Sequence, residues 1–64
     1  GIEEVSIWLR KIGLGLYQNL FSENEIDGQG LLLLVEDDLN LLFSTQDHIE
    51  KFKDELSKFK SISA

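Results

Sequence analysis

Few residues in this chain could carry out chemistry. His48 is the single histidine and there is no cysteine, so a zinc site, which needs three or four converging ligands, cannot be assembled from the usual donors. His48 also has no nucleophile beside it to activate. Glu36, Asp37 and Asp38 are consecutive acids, but neighbours on a short helix point in different directions and nothing around them suggests a cleft. From Asp27 to Asp38 the alternating oxygen donors of a calcium loop are missing, and leucines fill the middle. Gly13-Leu14-Gly15 and Gly28-Gln29-Gly30 lack the strand context and third glycine of a phosphate-binding turn. These residues assign no catalytic group, metal, cofactor or small-molecule substrate. The chain reads as a non-enzyme whose function lies in its surfaces.

Those surfaces need a scaffold, and 64 residues are near the lower limit for a self-sufficient core. Hydrophobic residues make up 42% and charged residues 28%, as in a globular domain and not a disordered one. Without disulfides the chain must fold by packing, with Trp8, Tyr17, Phe21, Phe43, Phe52 and Phe59 as the large pieces. There is no proline, and no glycine interrupts the first or the last helical pattern, which favours an all-helical fold. The longest apolar run, Leu31–Val35, is far too short to span a bilayer, and no signal peptide is expected within these residues. Gly1 opens the chain without a Met, so residues 1–64 are expected to be one domain, with its core at about 3–60, taken from a larger protein.

The charge is unevenly spread. Residues 1–43 carry eight acids against Arg10 and Lys11, whereas residues 44–64 carry four acids against Lys51, Lys53, Lys58 and Lys60. The net charge of −6 argues against a phosphate backbone or an anionic membrane as the main partner.

Periodicity predicts the elements. Val5, Trp8, Leu9 and Ile12 share a helix face, Glu3 and Glu4 suit its first turn, and Gly13 suits a left-handed cap with Leu14 folding back. A second helix is expected from Gly15 or Leu16 to Glu23, with Leu14, Tyr17 and Phe21 inward, Leu20 beside them, and Asn24 as the stop. Asp27 is the expected N-cap of a short helix over 28–34. Gly28 and Gly30 weaken that helix by roughly 1 kcal/mol each, so burial of Leu31, Leu32 and Leu34 must hold it. Val35 is a poor cap for the next helix, 37–43, in which Leu39, Leu42 and Phe43 are the inward residues. Ser44 or Thr45 caps the last and longest helix. Its stripe is Ile49, Phe52, Leu56, Phe59 and Ile62, Lys51–Glu55 and Asp54–Lys58 are i,i+4 pairs, and its tail from Ser61 is expected to fray. Leu33 and Leu41 fit no inward line and are expected at the surface. Glu25 and Asp27 are expected to face outward beside Glu36–Asp38.

In sequence order, Val5, Trp8-Leu9, Ile12-Gly13-Leu14, Tyr17, Phe21, Asn24, Ile26-Asp27-Gly28, Leu31-Leu32, Leu34, Asp38-Leu39, Leu42, His48, Lys51 and Leu56 resemble the sterile alpha motif (SAM) domain family over nearly the whole chain. The resemblance implies an all-α, small five-helix bundle with a long C-terminal helix, and an intracellular, cytoplasmic interaction module of the scaffold or adaptor kind used in signalling. Its implied partner is another SAM domain, joined when an acidic mid-loop surface meets a basic end-helix surface. By position, the acidic side would use Glu25, Asp27, Leu33, Glu36, Asp37 and Asp38, and the end-helix side His48, Lys51 and Lys53. Asp47 stands where the family has glycine, Ile49 where a base is common, and Glu50 dilutes the charge further. The expectation is therefore association with a different SAM domain, ahead of head-to-tail homo-oligomerisation or a monomeric structural role. Some SAM domains bind RNA hairpins through a basic patch near the last helix. The acidic balance here disfavours that, and a membrane surface too.

Overall fold

The computed structural model describes residues 1–63, with side chains through Ser61. Five α-helices and one 3-10 turn follow in order: α1 (Ile2–Lys11), the turn Gly15–Tyr17, α2 (Gln18–Glu23), α3 (Gly28–Leu33), α4 (Glu36–Leu42) and α5 (Gln46–Ser63). Among the described residues there is no strand. The 18 residues of α5 make a rod of about 27 Å, close to the 29 Å longest dimension of the molecule. The other helices therefore pack along its length.

α1 ends in the expected left-handed cap. Gly13 has φ +84°, its N–H bonds the Arg10 carbonyl at 3.2 Å, and the Leu14 N–H reaches the Leu9 carbonyl at 2.8 Å. These two bonds define a Schellman cap, with Leu9 and Leu14 as its apolar pair, and both side chains are fully buried. The segment after it differs from the single helix expected. The Tyr17 N–H bonds the Leu14 carbonyl at 3.0 Å, an i→i−3 bond. In that tighter winding residues three apart eclipse, so Leu14 and Tyr17 enter the core together.

α2 also ends in a Schellman cap, but its left-handed residue is Glu25, at φ 54°, one position beyond the expected stop. The Glu25 N–H bonds the Ser22 carbonyl and the Ile26 N–H the Phe21 carbonyl, both at 3.0 Å. Asn24 is the cap residue before it and donates from Nδ2 to the Leu20 carbonyl at 2.8 Å.

Asp27 caps α3 as expected, Oδ1 accepting from the Gly30 N–H at 2.8 Å. Leu31 is buried and Leu34 partly so. Leu32 is not, being 49% exposed. A six-residue helix buries one narrow stripe, and Leu32 lies about 100° round from Leu31. α4 begins one residue earlier than expected. Val35 has no side-chain acceptor, and Asp38 Oδ2 instead reaches back to the Val35 N–H at 3.0 Å. Leu39 and Phe43 are buried and Leu42 is partly so.

Thr45 caps α5, its Oγ1 accepting from the His48 N–H at 3.2 Å. Ile49, Phe52 and Leu56 are buried, with Phe59 packed against them. The helix continues through Ser63, past Ser61, where fraying was expected to begin; the Ile62 side chain, at the far end of the stripe, and Ala64 lie outside the described residues. Lys51–Glu55 and Lys58–Asp54 pair at 3.7 and 3.9 Å. An aromatic chain joins the halves of the core. Tyr17 meets Phe43 at 4.5 Å between centroids, Phe43 meets Phe52 at 5.0 Å, Phe52 meets Trp8 at 5.8 Å, and Trp8 meets Phe59 at 6.1 Å. Each well-angled pair adds about 0.5–1.5 kcal/mol beyond area burial.

Candidate interaction surfaces

Two faces of the molecule carry the residues singled out by sequence. The first is built by α3, α4 and the end of α2. Because α3 and α4 each bury a single stripe, their opposite sides carry leucines into solvent: Leu33 is 78% and Leu41 85% exposed. Between them runs a groove of about 330 Å³, lined by Ile26, Leu34 and Leu42 below and by Leu33, Leu41 and Asp38 at its edges. Exposed apolar groups gathered at one polar-rimmed groove are the usual mark of an interaction site.

The expected acidic residues divide around this groove. Asp38 lines it while holding the Val35 N–H. Asp27 is likewise engaged, on the Gly30 N–H. Glu25 is exposed beside Asn24, another groove residue, and Asp37 is exposed on α4. Glu36 turns the other way, to an ion pair with Lys53 of α5 at 2.5 Å, in which the two side chains are about half exposed. An exposed pair of this kind contributes about 0–1 kcal/mol, so its main effect here is local charge cancellation.

The Glu36–Lys53 pair also bears on the second face. Lys53 leans towards α4 along the flank of α5, beside Val35 and Glu36, whereas His48 and Lys51 lie in the first turns of the helix. His48 is half-buried: its Nδ1 lies 2.5 Å from the Tyr17 hydroxyl, which also accepts the Ser44 N–H at 3.1 Å. Lys51 is exposed and pairs with Glu55.

Sequence reasoning did not single out the bases of α1. Arg10 and Lys11 are both exposed, and neither forms an ion pair among the described residues. The 3-10 turn sits directly on Arg10. A Cβ on Gly15 would fall 3.0 Å from Arg10 Cγ, so glycine is what allows this approach. Leu16, next in the turn, is 66% exposed, and Ile7, one helical turn before Arg10 and Lys11, is 46% exposed. The signal available in sequence was weak: two adjacent bases in an otherwise acidic half.

Among the described residues no group of His, Asp and Glu is arranged to hold a metal ion, and no helix is long and apolar enough to cross a membrane. The helix order, the capped corners and the long α5 are those of a sterile alpha motif domain, and the sequence profile of that family matches residues 2–60. The chain belongs to the SAM domain family, whose members are protein–protein interaction modules. Neither curated proteins nor solved structures gave a significant match.

Proposed function

We propose that this chain is a single SAM domain that binds a basic end-helix surface on a different SAM domain through its acidic, leucine-bearing α3–α4 face. The observation that carries this reading is the groove between exposed Leu33 and Leu41, edged by Asp38 and Asn24, whose sequence neighbours Asp37 and Glu25 are exposed. Leucines in such a groove supply desolvated contact area, and the acids steer and orient a cationic partner. Glu36 contributes less because Lys53 already neutralises it, and Asp27 contributes mainly by fixing α3. His48 and Lys51 belong to the end-helix side of the same scheme, with Asp47 and Glu50 diluting its charge. The fitting role is a non-catalytic adaptor or scaffold in intracellular signalling.

The test is calorimetric titration with a SAM domain that bears a basic end-helix surface, in low and high salt. Binding should weaken with salt, fall at least tenfold in Asp37→Lys, and fall comparably in Leu33→Ala/Leu41→Ala. Absence of binding, or binding indifferent to all three substitutions, would overturn the assignment.

A further inference from the structure

We propose that the basic contact surface of this chain is the α1 corner, made of Ile7, Arg10, Lys11 and Leu16, and that its occupant is the acidic α3–α4 face of a second copy. The inference rests on the reading of that acidic face given above, and adds the surface that meets it.

Charge accounting within the molecule singles out the corner. Of the bases on α5, Lys51 and Lys58 pair with Glu55, Lys58 also approaches Asp54, and Lys53 pairs with Glu36; Lys60 forms no ion pair among the described residues but has no second base beside it in sequence. Arg10 and Lys11 are adjacent and have no acid within pairing distance among the described residues. They sit between two exposed apolar side chains, Ile7 and Leu16, and the close packing of Gly15 on Arg10 keeps the turn against the helix. The result is apolar and cationic together, complementary to a face that is apolar and anionic together. The two surfaces lie on different elements of one chain, so their pairing is head to tail and repeats from copy to copy.

The contact is weak for two reasons. A standard interface takes about 800 Å² per partner, which would be about a fifth of the 4360 Å² surface of this molecule, and a corner of four side chains covers less. Each copy also carries a net charge of −6, so approaching copies repel at long range. At 0.01 M salt the screening length is about 30 Å and the repulsion acts across the whole molecule. At 0.15 M it is about 8 Å, and mainly the local pairing remains. Self-association should therefore be stronger at 0.15 M than at 0.01 M salt, opposite to the trend for a basic partner on the acidic face.

Sedimentation velocity over a concentration series tests this. The wild-type chain should show a rising weight-average sedimentation coefficient at 0.15 M salt. Arg10→Glu/Lys11→Glu should stay monomeric, whereas the control Lys58→Glu/Lys60→Glu, with the same change in net charge at the far end of α5, should still associate. Asp37→Lys/Leu41→Lys should also stay monomeric, and mixing it with Arg10→Glu/Lys11→Glu should give a one-to-one dimer that grows no further. A monomeric wild-type chain, or unchanged association of the Arg10→Glu/Lys11→Glu variant, overturns the inference. Titration of that variant with a basic SAM partner separates the two proposals, since the acidic face it keeps should bind as in wild type.

Discussion

The Tyr17 hydroxyl holds both sides of the α4–α5 corner, lying 2.5 Å from His48 Nδ1 and accepting the Ser44 N–H at 3.1 Å. The amide fills one lone pair, which leaves the hydroxyl proton and the second lone pair for the contact with His48 Nδ1. Below the hydroxyl, the Tyr17 ring packs edge-on against Phe43 and His48, at 4.5 and 5.3 Å. One side chain from the first third of the sequence thus sets where the longest helix begins.

Tyr17→Phe keeps the ring and removes the hydroxyl. The Ser44 amide and His48 Nδ1 then lose their partner, at a cost of about 1–2 kcal/mol, or roughly 4–15 °C in Tm for a domain of this size. The Ser44 amide should exchange faster with solvent, and the ¹⁵N resonance of His48 Nδ1 should move as its hydroxyl partner is lost. An unchanged melting curve together with an unchanged Ser44 exchange rate would refute the role given to the hydroxyl.

The Glu25 corner makes the opposite forecast. A non-glycine residue in the left-handed region costs about 1–2 kcal/mol, and Glu25 stands there at φ 54°. Glycine has its own cost of about 0.5–1 kcal/mol from greater freedom in the unfolded chain. Glu25→Gly should therefore be stabilising by up to about 1 kcal/mol, seen as a higher urea midpoint with an unchanged slope. Gly13→Ala, at φ +84°, should lower that midpoint. The two changes should have opposite signs although both act on helix caps.

These sites also mark what sequence could reveal. Gly13 and Asp27 act through bonds to residues within five positions, so spacing alone located both caps. Leu33 and Leu41 were legible as surface residues because neither continues an inward stripe. Glu25 was not legible, because left-handed geometry favours Asn or Gly and Asn24 stood next to it. The burial of Leu32 was overestimated by treating a leucine run as uniformly inward. Tyr17–His48 and Glu36–Lys53 join residues 31 and 17 positions apart, and no local pattern encodes such a pairing. Lys53 was accordingly placed with the end-helix residues, although it reaches across to Glu36.

Asp27, Asp37 and Asp38 look interchangeable in sequence but should not behave alike. Asp27→Ala removes the acceptor for the Gly30 N–H and should cost about 1 kcal/mol. Asp38→Ala releases the Val35 N–H and should cost a few tenths to about 1 kcal/mol, because that amide can turn to water. Asp37→Ala, whose carboxylate makes no hydrogen bond among the described residues, should stay within about 0.5 kcal/mol of wild type. Urea melts of the three variants give this order directly. Equal losses for all three would remove the separation between capping acids and a surface acid.

Leu31 and Leu33 occupy the same short helix two residues apart, at 3% and 78% exposure, and so separate folding from binding. A buried Leu→Ala change costs about 2–5 kcal/mol, while a chain of 64 residues has about 3–10 kcal/mol to lose. Leu31→Ala should leave much of the population unfolded at 37 °C, visible as lost helical circular dichroism and collapsed amide dispersion. Leu33→Ala should melt within about 0.5 kcal/mol of wild type and yet weaken binding to a basic SAM partner, because the same methyl groups that do little for the core line the groove. If Leu33→Ala unfolds the domain, Leu33 supports the fold and does not serve as a docking contact. If it binds as wild type does, the partner must be held by the acids alone.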